Sequence, residues 1–130
     1  MNTVRRYIIV DDDDFSNVLC AMMLKSTLRE TEIQVFTNPA KALEFIQHTY
    51  NRKIEPTILL LDINMPILTG WDFMTQYERF DSEIKDQIVI YIHSSSVDER
   101  DMIKASNNVY IKGFILKPLE GKTILSMEFG

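Results

Sequence analysis

Asp11-Asp12, Asp62 and Lys117 each follow directly on an apolar run: Ile8-Ile9-Val10, Ile58-Leu59-Leu60-Leu61 and Phe114-Ile115-Leu116. A charge placed straight after a buried run is costly to desolvate without a partner. If the three runs are parallel strands, three carboxylates and one ammonium converge at one sheet edge. Carboxylates that close repel one another strongly unless a cation lies among them. Hard oxygen donors on a compact loop suit Mg²⁺, which prefers octahedral geometry and keeps several waters. A carboxylate such as Asp62 can also attack phosphorus to give an aspartyl phosphate, and a metal lowers the repulsion that attack meets. Lys117 can act as counter-ion, or hold a phosphoryl oxygen as a point charge.

Plainer uses exist for each residue. Asp11 to Asp14 reads equally as a helix N-terminus, where aspartate caps and complements the macrodipole. That accounts for Asp13 or Asp14 ahead of Phe15-Ser16, but not for Asp11-Asp12, fused to the strand itself. The helix after Asp62 starts only near Thr69, beyond Met65-Pro66, so Asp62 reads as a working carboxylate rather than a cap. Lys117-Pro118 is a weak signal alone, although proline biases the preceding lysine towards extended backbone. Ser94-Ser95-Ser96 is an ordinary loop marker, yet Ser94 ends a run where its hydroxyl could meet a phosphoryl oxygen. His93, with no evident partner, reads as structural rather than as phosphodonor or general base, and His48 as a helix-surface residue. Trp71, Met74 and Tyr77 lie at helical spacing and read as core.

Five strands must position these groups: Tyr7–Val10, Ile33–Phe36, Thr57–Leu61, Ile88–Ile92 and Ile111–Leu116, the last interrupted by Lys112 and Gly113. A helical segment follows each. The first carries Phe15, Val18, Leu19 and Met22 on one face, continued by Leu28. The second opens with Asn38 as N-cap and Pro39 at the first helical position, with Ala42, Leu43 and Ile46 on one face. The third carries Trp71 beyond Gly70, the fourth starts near Val97, and the last runs from about Leu119. Strand–helix alternation of this length demands parallel strands and right-handed crossovers, hence a doubly wound α/β sandwich. Sites in such sheets lie beyond the carboxyl ends of the strands, near the topological switch point.

With 130 residues and 45% hydrophobic composition, the chain is expected to form one soluble domain over residues 1–130. A net charge of −5 argues against nonspecific nucleic-acid binding. No run is long enough to span a bilayer, and the apolar stretch after Arg5-Arg6 is too short for a signal peptide. Cys20 stands alone, which excludes a disulfide framework or zinc site and points to a packed thiol in a reducing cytoplasm.

Taken together, Ile-Val-Asp-Asp-Asp, Leu-Leu-Asp-Ile-Asn-Met-Pro with Gly70 beyond it, a hydroxyl residue ending the fourth strand and Lys-Pro after the fifth resemble the response-regulator receiver domain of two-component signalling. The resemblance covers nearly the whole chain and implies a five-stranded sheet of order 2-1-3-4-5 with helices on both faces. It further implies that Asp62 accepts a phosphoryl group from a histidine kinase or phosphotransfer protein. Asp11 and Asp12 match the acidic pair that holds Mg²⁺, with Asp12 and Asp62 as direct ligands and the Asn64 backbone carbonyl completing the site. Ser94 matches the switch hydroxyl, Lys117 the family's lysine, and Phe114 the aromatic that turns inward on activation. A downstream protein would meet the face made by the helix after strand four, strand five and the final helix. Whether activation pairs two copies is left open.

Departures are modest: Ser95 stands where many members have alanine, His93 replaces an apolar residue, and the final helix, Leu119 to Phe129, is short. Two other readings use the same residues. A haloacid-dehalogenase-like Mg²⁺ phosphohydrolase needs a second aspartate where Asp62-Ile63-Asn64 has Asn64, which cannot shuttle a proton. A phosphorylation-independent binding module would not need Asp11, Asp12, Asp62, Ser94 and Lys117 together.

Overall fold

The computed structural model describes residues 4–96 and 98–127. Five parallel strands, β1 (Arg5–Val10), β2 (Thr31–Phe36), β3 (Thr57–Leu61), β4 (Ile88–Ser94) and β5 (Ile111–Leu116), form one sheet in the order β2-β1-β3-β4-β5. Among the described residues six helices accompany it: α1 (Asp14–Thr27), α2 (Pro39–Thr49), α3 (Gly70–Tyr77), α4 (Ser82–Lys85), α5 (Glu99–Ser106) and α6 (Gly121–Ser126). Among the described residues no helix is long and apolar enough to cross a membrane.

Successive strand residues face opposite sides, so a central strand between two helical layers must be apolar throughout. β3 meets that demand with every residue buried. On one side Ile8, Val10, Leu59, Leu61, Ile90 and Ile92 belong to a core that includes Ala42, Leu43 and Ile46 of α2 and Phe73, Met74 and Tyr77 of α3. On the other, Tyr7, Ile9, Ile58, Leu60 and Tyr91 share a core with Cys20 and Leu24 of α1 and Ile124 of α6. The doubly wound expectation is met.

Local chemistry sets the helix starts. Asp13 caps α1, its side chain accepting from the backbone N–H of Phe15 and Ser16. Asn38 caps α2 ahead of Pro39, as its sequence predicts. Thr69 and Asp72 form a reciprocal capping box at α3. A Cβ on Gly70 would fall 2.7 Å from Ile63 Cα and 2.8 Å from the Asp62 carbonyl oxygen. Only glycine lets α3 begin that close to the end of β3. At Gly113 a Cβ would meet the Tyr91 ring at 3.2 Å, and the β4–β5 register slips there, leaving Lys112 as the extra residue of a bulge.

Several expectations need correction. The apolar stripe of α1 faces outward: Phe15 is 70% exposed and Met22 61%, with Val18 and Leu19 also exposed, while Asn17, Cys20 and Leu24 are the buried residues. Helical spacing defines a stripe but not which side meets the sheet, and Asn17 is drawn inward by a bond to backbone. α4 is an additional single turn that its four residues are too few to announce by period. The helix after β4 is therefore α5, starting at Glu99; Val97 lies outside the described residues. The last helix is shorter than expected, because Met127 returns to extended backbone, and Phe129 lies outside the described residues. Trp71 is only partly buried, whereas Phe73 takes the core position beside Met74 and Tyr77.

Candidate functional site

β1, β3, β4 and β5 end together, so the loops beyond them bring Asp11, Asp12, Asp62, Ser94 and Lys117 into one pocket. Backbone pairing fixes the first two loops: Asp11 N–H donates to Phe36 O at 3.1 Å and Asp62 N–H to Val10 O at 2.9 Å. Lys117 N–H donates to Ser94 O at 2.8 Å, which ties the β5 exit to the end of β4. The Lys117-Pro118 peptide is cis.

Asp11 is the anchor. It is 2% exposed, and its two oxygens accept from Asp13 N–H at 2.9 Å, Ser16 Oγ at 2.9 Å and Lys117 Nζ at 2.5 Å. Asn17 Nδ2 donates to its backbone oxygen at 2.9 Å. Burial alone would raise the Asp11 carboxyl, but the Lys117 ammonium and the other donors outweigh it and hold it below the usual range.

Asp62 sits differently. Its Oδ1 accepts from Asn64 N–H at 3.0 Å, while Oδ2 lies 3.9 Å from Lys117 Nζ. Burial pushes its carboxyl above the usual range; the Asn64 N–H and Lys117 oppose that shift, and nearby Asp11 adds to it. Two carboxylates thus share one ammonium, and Asp11 has the closer hold.

Asp12 completes the cluster from an exposed position, and carboxylate oxygens of Asp11, Asp12 and Asp62 all lie within 4.8 Å of one another. Three acids against one lysine leave a net negative pocket of hard oxygen donors. That donor set fits a hard divalent cation such as Mg²⁺ rather than a thiophilic metal.

Ser94 is fully buried, and its Oγ accepts from Asn64 Nδ2 at 3.2 Å and Ser96 N–H at 3.3 Å. Asn64 therefore bonds Asp62 through its backbone and Ser94 through its side chain. Phe114, opposite Ile92 in the β4–β5 register, is partly buried against the α2–α3 core.

His93 points to the opposite face of β4 from Ser94, and is 4% exposed with Nε2 lacking a hydrogen-bond partner. Burial, then the Lys117 charge, pushes its imidazole down to about 4, so it is neutral near pH 7. His48 is on the exposed side of α2. Burial likewise pushes the Cys20 thiol up to about 12, as expected of a packed, unreactive cysteine.

Sequence reasoning missed Ser16 and Asn17, both of which hold Asp11. A signal for Asn17 exists: it is the polar residue three before Cys20 and seven before Leu24, on the side of α1 that packs inward.

A sequence profile of the response regulator receiver domain matches residues 7–127. The chain belongs to the response regulator receiver domain family. This receiver domain is 31% identical over 119 residues to the transcriptional regulatory protein PrrA of Mycobacterium tuberculosis, which covers 90% of the chain and 47% of that protein. The chain thus spans about half the length of that relative. It is 26% identical over 120 residues to the chemotaxis protein CheY of Listeria monocytogenes, covering 92% of each. Among solved structures, a two-component response regulator from Cytophaga hutchinsonii superposes with a TM-score of 0.84 at 27% identity, covering 97% of this chain and 100% of that one. A response regulator receiver protein from Dyadobacter fermentans gives 0.80 at 28% identity, covering 91% and 89%. As a family, receiver domains are signalling switches of two-component systems and bind Mg²⁺ at an acidic pocket; in this chain Asp11, Asp12 and Asp62 form an acidic cluster that could hold such an ion.

Proposed function

We propose that this receiver domain is a switch that accepts a phosphoryl group on Asp62 from a phosphohistidine of a histidine kinase or phosphotransfer protein. The observation that carries this reading is the unequal division of Lys117 between Asp11 and Asp62. Asp11 is held as a fixed anion, while Asp62 keeps one oxygen without a close donor.

Asp11, Asp12 and Asp62 side chains and the Asn64 backbone carbonyl would hold Mg²⁺. Bound there, the cation offsets negative charge on the attacking carboxylate and on phosphoryl oxygens. Asp62 Oδ2 attacks phosphorus in line; the P–N bond to the donor imidazole breaks and its electron pair stays on nitrogen. Lys117 supplies positive charge beside the nucleophile, so positioning and electrostatics carry the step. Both bonds to Ser94 Oγ are accepted ones, which leaves its hydroxyl proton to donate to the new phosphoryl group. That bond shifts a two-state equilibrium that Phe114 reports through its packing.

Transfer to and slow loss from its own aspartate is the extent of the catalysis. Asn64 offers no carboxyl to cycle a proton, which argues against a phosphohydrolase. Output then passes by protein contact through α5, β5 and α6, where Met102, Ile103, Leu116 and Leu125 are exposed. Residues 1–130 are taken as one cytoplasmic domain without nucleic-acid contacts of its own.

The test is incubation with acetyl phosphate and Mg²⁺ followed by intact-mass measurement. A base-labile gain of one phosphate, abolished by Asp62→Asn or by chelation, is expected. A protein that stays unlabelled, or is labelled equally in the variant, ends the reading.

A further inference from the structure

Trp71, in the first turn of α3, reaches across to α5. Its indole N–H donates to Asp101 Oδ1 at 3.0 Å, and Lys104 Nζ lies 5.3 Å from the centroid of its ring. Asp101 and Lys104 are three residues apart in α5, hence on one face. The helix thus meets the indole with an acceptor at its edge and a cation over its face. Trp71 itself has firm footing, half-buried against the α2–α3 core. Gly70 N–H donates to Ile63 O at 3.2 Å, and the close approach of Gly70 to Ile63 seats the start of α3 on the loop after Asp62.

α5 lacks such footing. Among the described residues, Ala105 alone of its eight is buried, while Met102, Ile103 and Lys104 are exposed. A helix this short is unstable by itself and depends on tertiary packing. A hydrogen bond to a charged group contributes more than the burial of one methyl, so the indole is a principal hold on this helix.

We propose that Trp71 is a clamp that holds α5 in the position of the unphosphorylated domain and lets go when Asp62 is phosphorylated. The second half rests on the phosphoryl-acceptor reading of Asp62. Ser94 and Asp98, the N-cap of α5, are four residues apart. Movement of the Ser94 hydroxyl towards a phosphoryl group displaces that short connection, and with it Asp101 in the next turn, relative to an indole seated on α3. A hydrogen bond weakens steeply with misalignment, so a small displacement suffices.

Hydrogen exchange of the unphosphorylated chain, read amide by amide, tests the hold. Trp71→Phe keeps an aromatic ring but loses the N–H, and amides of α5 should exchange about tenfold faster. Asp101→Ala should do the same, and the double variant should be no faster than either, since each change alone already breaks the one bond. Glu99→Ala removes a first-turn charge that the indole does not use, so its effect should add in full to that of Trp71→Phe. Wild-type exchange in α5 of either single variant, or effects of Trp71→Phe and Asp101→Ala that simply add, would overturn the clamp. Trp71 is the chain's only tryptophan, so acrylamide quenching of its emission reads the release. With acetyl phosphate and Mg²⁺, quenching should rise in the wild type and stay unchanged in Asp62→Asn. Intact mass separates the two ways of failing. A labelled protein with unchanged quenching sinks the release alone; an unlabelled one sinks the phosphorylation reading and the release with it, and exchange still decides the hold.

Discussion

Lys117 Nζ lies 2.5 Å from Asp11 Oδ2 and 3.9 Å from Asp62 Oδ2. One ammonium, on the residue after β5, thus balances an acid after β1 and an acid after β3. Removing it with Lys117→Ala leaves Asp11 buried and charged without its counter-ion. Breaking a buried pair from one side costs about 3 kcal/mol. Urea unfolding in chelator should show that loss, and added Mg²⁺ should recover part of it, since the cation can take over the neutralising role.

Asp62→Asn should act in the opposite direction. Asp62 has its pKa raised on folding, so its ionised form disfavours the folded state at neutral pH; the penalty fades as pH falls through the folded value. A neutral isostere removes both the burial cost and the repulsion from Asp11. The variant should be more stable than wild type by on the order of 1 kcal/mol at pH 7 without metal. Unfolding curves measured with and without Mg²⁺ should cross over, the wild type gaining more from the ion.

Asp12 is exposed, so Asp12→Asn should leave metal-free stability within about 0.5 kcal/mol. It should nonetheless weaken Mg²⁺ binding by about tenfold or more, because one ligand charge is lost. Calorimetric titration of both proteins checks the pair of outcomes. Equal affinity would remove Asp12 from the metal site.

His93 sets an acid limit. Its folded pKa of about 4 lies below the ordinary 6.5, so it contributes stability above pH 6.5 that is lost as pH falls towards 4. The loss should approach 2–3 kcal/mol, on the order of the shift itself. Asp11, whose pKa is also depressed, adds loss only below the ordinary carboxylate range. His93→Leu should flatten the slope between pH 6.5 and 4 while leaving the lower limb intact, as read from urea midpoints across that span.

Gly70→Ala should destabilise by about 1–3 kcal/mol, since the new methyl falls against Ile63 and the Asp62 carbonyl. Because that contact ends β3, acetyl phosphate labelling of Asp62 should slow in the same variant. Labelling at the wild-type rate would mean that the loop gives way without moving the acid.

The elements and the acidic pocket were legible because strand ends in a parallel sheet are forced together: a charge after each apolar run has nowhere else to go. Asp11, Asp62 and Lys117 could therefore be read from position alone. The orientation of α1 could not. A stripe of Phe15, Val18, Leu19 and Met22 satisfies helical period as well facing out as facing in, and it is Cys20 and Leu24 that enter the core, with Asn17 bonding Asp11 O beside them. α4 was hidden for want of length. The division of labour between the two acids also escaped reading, since it depends on which oxygen an ammonium on a flexible stem reaches first.

His93 and Ser94 are neighbours on β4 that face opposite layers of the sheet. One strand thus presents a hydroxyl to the strand-end pocket and an imidazole to the opposite layer. That ring lines the groove beneath Phe15 and Leu19. The strand that carries Ser94 into the acidic pocket therefore also forms part of the groove on the α1 side, so the two surfaces share one piece of backbone.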